Sequence, residues 1–354
     1  LVYDFCKKSY DKRSTLAYSL SMVAYNLQAL PTDIILSVRY TVSIILSHLT
    51  KDKRQRTLVQ MSITQNYKLN IIQWYPGHIA KAEKNLKEHL KVVDVVLEVR
   101  DARIPLATHH PKMSEWVGSK TRVLVLNRVD IILPQVRQAW TQWFKSQGEV
   151  PYFTNAQQGQ GVAAVSKAAQ AAGVAINERR KSRGMLPRPV RAVVIGFPNV
   201  GKSALINRLL GRRVVESAAR PGVTRQLRWV RISEELELLD APGVIPARLE
   251  NQEAALKLAI CDDIGEASYD NQTVAAALVD IIKDGQTNDP DFLPEHPLRS
   301  RYTLDPTPLT GEAYLHALAE YRYKGDVEKT ARTLLTDFRK GSLGPIPLEL
   351  PPNE

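Results

Sequence analysis

Residues Gly196-Phe-Pro-Asn-Val-Gly201-Lys202-Ser203 form a G-x-x-x-x-G-K-S loop. It follows the apolar run Ala192–Ile195 and opens a segment with helical spacing, Ser203–Leu210. Strand, loop and helix in that order are what a phosphate-binding loop requires. Its glycines let the backbone from Pro198 through Asn199 and Val200 to Gly201 wrap a phosphate closely. Backbone N–H groups and the helix start then face the negative charge. Lys202 would reach the β- and γ-phosphates, and Ser203 would ligate Mg²⁺. Downstream, Asp240-Ala-Pro-Gly243 follows the run Leu236–Leu239. Asp240 at a strand end suits Mg²⁺ held through water, and Gly243 can offer its N–H to a γ-phosphate. Between them, Pro221-Gly-Val-Thr224 places Thr224 where it could join the Mg²⁺ when a γ-phosphate is present.

Two earlier loops could set the base. Asn127-Arg128-Val-Asp130 follows the run Arg122–Leu126. A carboxylate accepts hydrogen bonds, so Asp130 would take N1–H and the 2-amino group of guanine, a donor pair that adenine lacks. Asn127 would brace the loop and the purine O6/N7 edge. Thr154-Asn155-Ala156 follows the run ending at Phe153 and could offer backbone N–H groups to O6. Each tetrapeptide alone reads as an ordinary strand-to-helix turn; their shared register is what points to a guanine nucleotide. The base loops precede the phosphate loop, a rotated order. An α/β domain tolerates this because its ends often lie close together. The rotation places the chain break after the Asp240 segment, so residues 241–260 lead toward the C-terminal helices and would relay nucleotide state to them.

The elements that must position these loops follow from patterning. Apolar runs of strand length, Val92–Val99, Arg122–Leu126, Val150–Phe153, Val190–Ile195 and Leu236–Leu239, alternate with helix-like segments Lys81–Leu90, Gln135–Lys145 and Gly161–Ala172. Such alternation predicts an α/β fold, a parallel sheet with helices on both faces. Residues 173–190 read as a basic linker, with Arg179, Arg180, Lys181, Arg183 and Arg188 against the single acid Glu178. It could track a phosphate backbone or be a solvated loop. After about Glu250 the pattern turns helical. Val327, Ala331, Leu334, Leu335 and Phe338 fall on one helix face. The expected domains are an N-terminal extension over 1–70, a nucleotide-binding domain over 71–260 and a small all-α domain over 261–354.

Composition narrows the class. The 354 residues are 44% hydrophobic, enough for a sizeable core, and carry a net charge of +11. The two cysteines, Cys6 and Cys261, lie too far apart in sequence for a disulfide scaffold or a Cys-based zinc cluster, which fits a reducing compartment. No run of 18 or more residues is predominantly apolar, so no membrane span is expected. Charge is uneven: +6 over 1–70, +13 over 71–260 and −8 over 261–354. A basic front and acidic tail suit a polyanionic partner touching the middle of the chain, or simply a solvated surface. Residues 1–70, basic at Lys7, Lys8, Lys12 and Arg13 and then uncharged to Thr32, read as a targeting segment or a dispensable extension.

The rotated motifs, with Gln73-Trp-Tyr-Pro-Gly-His78 upstream, Asp101-Ala-Arg103-Ile-Pro after the first strand and Lys257-Leu-Ala-Ile-Cys-Asp-Asp, resemble the YlqF/RbgA family of circularly permuted GTPases. The match runs from about Ile71 to the C-terminus and looks most like the cyanobacterial and plastid branch. The resemblance implies GTP hydrolysis to GDP with Mg²⁺, binding to the precursor of the large (50S) ribosomal subunit and its rRNA, and a helical RNA-contacting tail. Here that tail is acidic, so its RNA contacts should be local, around Arg322, Lys324, Lys329, Arg332, Arg339 and Lys340. It further implies bacterial cytoplasm or chloroplast stroma, no membrane, and a monomer off the ribosome. His78 would replace the usual water-orienting Gln, because Val244 after Gly243 cannot hydrogen-bond a nucleophilic water; by itself His78 reads as a turn residue. Slow intrinsic hydrolysis, accelerated by the particle, is the expectation. Arg128 stands where the motif usually has Lys. Asn199 matches the loop Asn that binds K⁺ in related GTPases. Two alternatives stay open. One is a GTP-holding rRNA scaffold without turnover, against which the full set Lys202, Ser203, Thr224 and Asp240 speaks. The other is a GTPase of tRNA modification or signalling, against which the rotated order and the Pro-Gly-His element speak.

Overall fold

A computed structural model describes residues 86–211, 228–240, 251–265 and 268–352. His78, Thr224, Gly243, Val244, the side chain of Asp240 and the whole 1–70 extension lie outside the described residues.

Strand β1 (Val95–Asp101) is buried along its whole length. Its alternating residues serve two faces: Val95, Leu97 and Val99 pack in one core, Val96 in another. Burial on both sides is the signature of a parallel strand covered by helices. Strand β2 (Thr121–Asn127) and strand β3 (Pro151–Thr154) add on one side of it. Strand β4 (Val190–Ile195), strand β5 (Arg228–Arg231) and strand β6 (Leu236–Asp240) lie on the other. The order is β3-β2-β1-β4-β6-β5. All pairs are parallel except β5 with β6, which is antiparallel. The fully parallel expectation therefore gains one antiparallel edge. Strand β5, only four residues with Arg at both ends, carries too little apolar pattern to be read from sequence.

One face of the sheet is covered by the helical residues 86–90, helix α1 (Met113–Val117) and helix α2 (Pro134–Ser146). The other is covered by helix α3 (Val162–Ser182) and helix α4 (Lys202–Leu210). Residues 173–182, read as linker, continue α3. Gly173 does not stop the helix: it is where the helix crosses the start of β4. A Cβ there would lie 1.8 Å from Val190 Cγ2, so only glycine permits that approach. The helix ends at a left-handed Gly184, where Gly184 N donates to Lys181 O (2.9 Å) and Met185 N to Arg180 O (2.9 Å).

Helix α5 (Gln252–Cys261) follows, then helix α6 (Asn271–Asn288), helix α7 (Pro297–Tyr302), helix α8 (Gly311–Tyr323) and helix α9 (Val327–Arg339). Side chains cap four of these starts. Asn251, Asp270, Thr310 and Asp326 each accept from a backbone N–H three residues on, worth about 1 kcal/mol apiece. Ala255–Cys261 of α5 are all buried, in the same continuous core that holds β1 and β4 together with Leu334 and Phe338 of α9. Arg339 Nε and Nη2 donate to Ile260 O and Ala259 O, both at 2.9 Å, fastening α9 to the end of α5.

Candidate nucleotide site

The chain runs outward from β1 to β3 and returns to β4 on the other side of β1. This leaves a topological switch point between β1 and β4, the usual ligand crevice of an open α/β sheet. The C-terminal ends of the parallel strands carry Asp101, Asn127, Thr154, the loop starting at Gly196, and Asp240.

The phosphate loop folds tightly here. Gly196 sits where a Cβ would lie 2.2 Å from Val99 O, and Gly201 takes φ +101° with Asn127 Nδ2 2.1 Å from a built Cβ. A side chain at Gly196 would push the loop off β1, and one at Gly201 would push it off the base loop at Asn127. Helix α4 begins at Lys202 with no side-chain cap. Helices α1, α2, α3 and α7 also lack a side-chain cap; at α4 the uncapped first turn directly follows the glycine loop, which leaves its N–H groups for an anion. Lys202 is 7% exposed, and its Nζ donates to Gly196 O (3.2 Å) and Phe197 O (2.6 Å). Ser203 is half-buried in the same first turn. Buried Pro198 and Val200 flank Asn199, which is held at φ +56°.

Asn127 joins three loops. Its Nδ2 donates to Val200 O (2.8 Å), and its Oδ1 accepts from Thr154 Oγ1 (3.0 Å) and Ala156 N (3.0 Å). Residues 27 to 73 positions apart thus meet on one buried amide. Asn155 shapes its own loop, its Oδ1 accepting from Gln157 N (3.1 Å) and Gln158 N (3.0 Å). The N–H of Ala156 is thus engaged by Asn127, and those of Gln157 and Gln158 by Asn155. Arg128, left-handed at φ +67°, reaches both ways: Nη2 donates to Asn199 O (2.8 Å) and Nε lies 3.4 Å from Asp101 Oδ2. Asp130 is exposed on the short 3₁₀ turn Val129–Ile131.

A charged layer that spacing did not reveal lies beneath these loops. Asp101 and Arg103 are fully buried and face each other, with Nε 3.0 Å from Oδ1 and Nη2 2.7 Å from Oδ2. Burial works against its charge, but Arg103 and Arg128 hold the Asp101 carboxyl below its ordinary value. Asp263, at the end of α5, is fully buried, and neither carboxylate oxygen has a hydrogen-bond partner among the described residues. Burial, then the charge of Asp101, pushes its carboxyl well above the ordinary range. Beside it, burial raises the Cys261 thiol likewise. One ligand atom each of Asp101, Cys261 and Asp263 lie within 4.8 Å of one another. Arg103 already occupies both Asp101 oxygens, so the trio is a buried polar layer built on that ion pair and not a cation cage. Asn199 Nδ2 donates to Asp262 O (2.7 Å), tying the phosphate loop to the same turn. Arg208 of α4 completes the frame, donating to Ala156 O (3.4 Å) and Gln157 O. The Asp101-Ala-Arg103 spacing and the Lys257-Leu-Ala-Ile-Cys-Asp-Asp motif, which holds Cys261 and Asp263, were the available sequence signals for this layer; Arg208 offered none.

Comparison with known proteins places this geometry. A family model described as 50S ribosome-binding GTPase matches residues 191–291, the part that starts at β4 and leaves out the earlier base loops. Ribosome biogenesis GTPase A from Bacillus cereus is 34% identical over 79% of this chain and 94% of that protein. Its namesake from Bacillus pumilus is 33% identical over 79% of this chain and 99% of its own length. The chain belongs to the ribosome biogenesis GTPase A family. Mitochondrial ribosome-associated GTPase 1 from Bos taurus is also similar, at 30% identity over 79% of the chain and 89% of that protein. Among solved structures, GNP-bound YlqF from T. maritima has the same fold, with TM-score 0.54 and 22% identity, covering 77% of this chain and 100% of that one. As a ribosome biogenesis GTPase A family member, the chain is a GTP-hydrolysing enzyme with a guanine-nucleotide site on a rotated domain. Among the described residues no helix is long and apolar enough to cross a membrane.

Proposed function

We propose that this GTPase acts on the precursor of the large ribosomal subunit and its rRNA, binding with GTP and leaving after hydrolysis. What supports the partner is kinship with proteins named Ribosome biogenesis GTPase A; what supports the nucleotide grip is the junction at Asn127. That buried amide bonds Val200 of the phosphate loop together with Thr154 and Ala156, so base and phosphates would be gripped by one connected frame. In this frame Asp130 reads the guanine edge, Lys202 meets the β- and γ-phosphates, and Ser203, Thr224 and Asp240 hold Mg²⁺. The residues described fit such a ligand, because the glycine loop leads straight into α4 and Lys202 Nζ lies within that loop. When bound, Mg²⁺ would neutralise charge that develops on the phosphates. Gly243 would present its N–H to the γ-phosphate and His78 would orient water. Asn199 would offer K⁺ its Oδ1, since its Nδ2 is engaged with Asp262. Nucleotide state would pass through residues 241–260 into α5, whose end is bound by Arg339 of α9. We place the protein in bacterial cytoplasm or chloroplast stroma, as a monomer off the ribosome. The domains are the extension over 1–70, the GTPase domain over 71–260 and the helical tail over 261–354.

Phosphate release measured with and without large-subunit precursor tests this. Stimulation by the particle, lost in His78→Ala while GTP binding survives, is the expected result. Turnover equally fast with and without particles would overturn it.

A further inference from the structure

The end of α3 is a run of exposed basic side chains that the nucleotide site does not use. Residues 181–187 are exposed without a break, and Arg179 before them is exposed too. Arg179, Lys181 and Arg183 have no carboxylate within ion-pair distance among the described residues. Arg188, by contrast, is already neutralised by Asp94, with Nη1 at 2.6 Å and Nη2 at 2.9 Å from its two oxygens. The segment is nonetheless held in one shape. Gly184 closes the helix, Arg180 Nε donates to Leu186 O (3.0 Å), and Asn177 exchanges hydrogen bonds with Arg188, Nδ2 to O at 3.0 Å and N to Oδ1 at 3.2 Å. Arg179 and Arg183 are four residues apart on this helix end, so they share a face. Side chains on a fixed backbone lose less entropy on binding than those on a free loop.

Because α3 leads into the start of β4, this basic end sits at the opposite edge of the sheet from the strand ends that carry the nucleotide loops. We propose that the α3 end is an RNA-backbone contact of the protein, with Arg179, Lys181 and Arg183 on the phosphates, separate from the nucleotide site and from the acidic tail. This rests on the ribosome-precursor reading and deepens it by naming where the particle's RNA is held. Among the described residues none of the three positive charges is ion-paired, which favours a repeating anion over a folded protein surface. Phosphate contacts of this kind carry no sequence preference and weaken steeply with salt.

The test compares wild type with the triple variant Arg179→Ala, Lys181→Ala, Arg183→Ala in salt titrations. One probe is a 20-nucleotide single-stranded RNA, another is the large-subunit precursor particle, and the third is poly-glutamate. Arg188→Ala is the control, since its charge is already paired. The proposal expects the slope of log affinity against log salt for the RNA to fall by about 2–3 in the triple variant and by little in the control. GDP affinity and unstimulated hydrolysis should be unchanged. An unaltered RNA slope overturns the proposal, as does loss of poly-glutamate binding with RNA binding intact, which would mark a protein partner. Failure of wild type to bind the particle, with the RNA slope change present, would instead defeat the ribosome-precursor reading and leave the RNA contact standing.

Discussion

Strand β1 carries two buried ion clusters three residues apart, and they are built differently. Glu98 is fully buried and fully partnered: Oε1 takes Arg100 Nε (2.7 Å) and lies 2.8 Å from His109 Nδ1, while Oε2 takes Arg122 Nη1 (3.1 Å). Burial alone would raise its carboxyl, but the His109 contact and the Arg100 charge hold it at about 2. The second cluster joins Asp101, Arg103, Arg128 and Asp263. It is balanced at one end and unbalanced at the other, because Asp263 and Arg103 Nη1 have no hydrogen-bond partner among the described residues. The first cluster lies on the sheet face under α1 and α2 and reaches the neighbouring loops through Pro105 and Glu149, away from the nucleotide loops. The second reaches the base loop, the phosphate loop through Asn199, and α9, whose Phe338 ring lies 5.1 Å from the Arg103 guanidinium. Glu98, whose cluster supports the sheet, has both oxygens satisfied. Incompleteness sits where the nucleotide loops meet the helical tail, where a rearrangement would cost least.

That contrast can be broken at its strongest member. Arg103 also accepts Leu348 N and Glu349 N on its carbonyl oxygen, both at 3.0 Å. Arg103→Ala should remove the counterion of a buried carboxylate and cost about 3–5 kcal/mol in urea unfolding. A loss typical of a surface change would show that the second cluster does not hold the two regions together. Glu98→Gln comes next. The Glu98 carboxyl is depressed from 4.5 to about 2 in the folded protein, so its contribution is present above pH 4.5 and is lost as pH falls toward 2. The variant should be about 3 kcal/mol less stable at pH 7 and should show a flatter acid limb. An acid limb identical to wild type would sink the assignment.

Arg128→Lys keeps the charge but cannot span Asn199 O and Asp101 together. GDP should bind about fivefold more weakly, or about 1 kcal/mol, with little change in unfolding. A stability loss equal to that of Arg103→Ala would make Arg128 a structural member of the cluster. Asp263→Asn gives the smallest and most diagnostic effect. Its carboxyl is raised, so the folded protein keeps a proton that the unfolded chain releases, and stability from this group falls as pH rises above the ordinary carboxylate range. The amide stays neutral, so the variant should lack that fall. Glu98 and Asp263 therefore predict opposite slopes, and equal slopes would erase the difference between the clusters.

The sequence by itself determined the chemistry-bearing loops and the α/β class. A phosphate loop is a local object: glycine positions and the following helix are set within eight residues, so spacing suffices. Four of the strands were legible as short apolar runs, with ends shifted by one to three residues, and Val190–Ile195 matches β4 end to end. Tertiary structure alone decided which side chains share a partner. Asn127 meets Val200 and Arg339 meets Ile260 across 73 and 79 positions, a separation no periodicity encodes. The continuation of α3 past Gly173 depended on Val190 lying beneath it, and β5 depended on β6 offering an edge. In the motif Lys257-Leu-Ala-Ile-Cys-Asp-Asp nothing set Asp263 apart from Asp262; only burial at the end of α5 made it an unpartnered carboxyl that keeps its proton, because desolvation is a property of the packed surroundings and not of the residue.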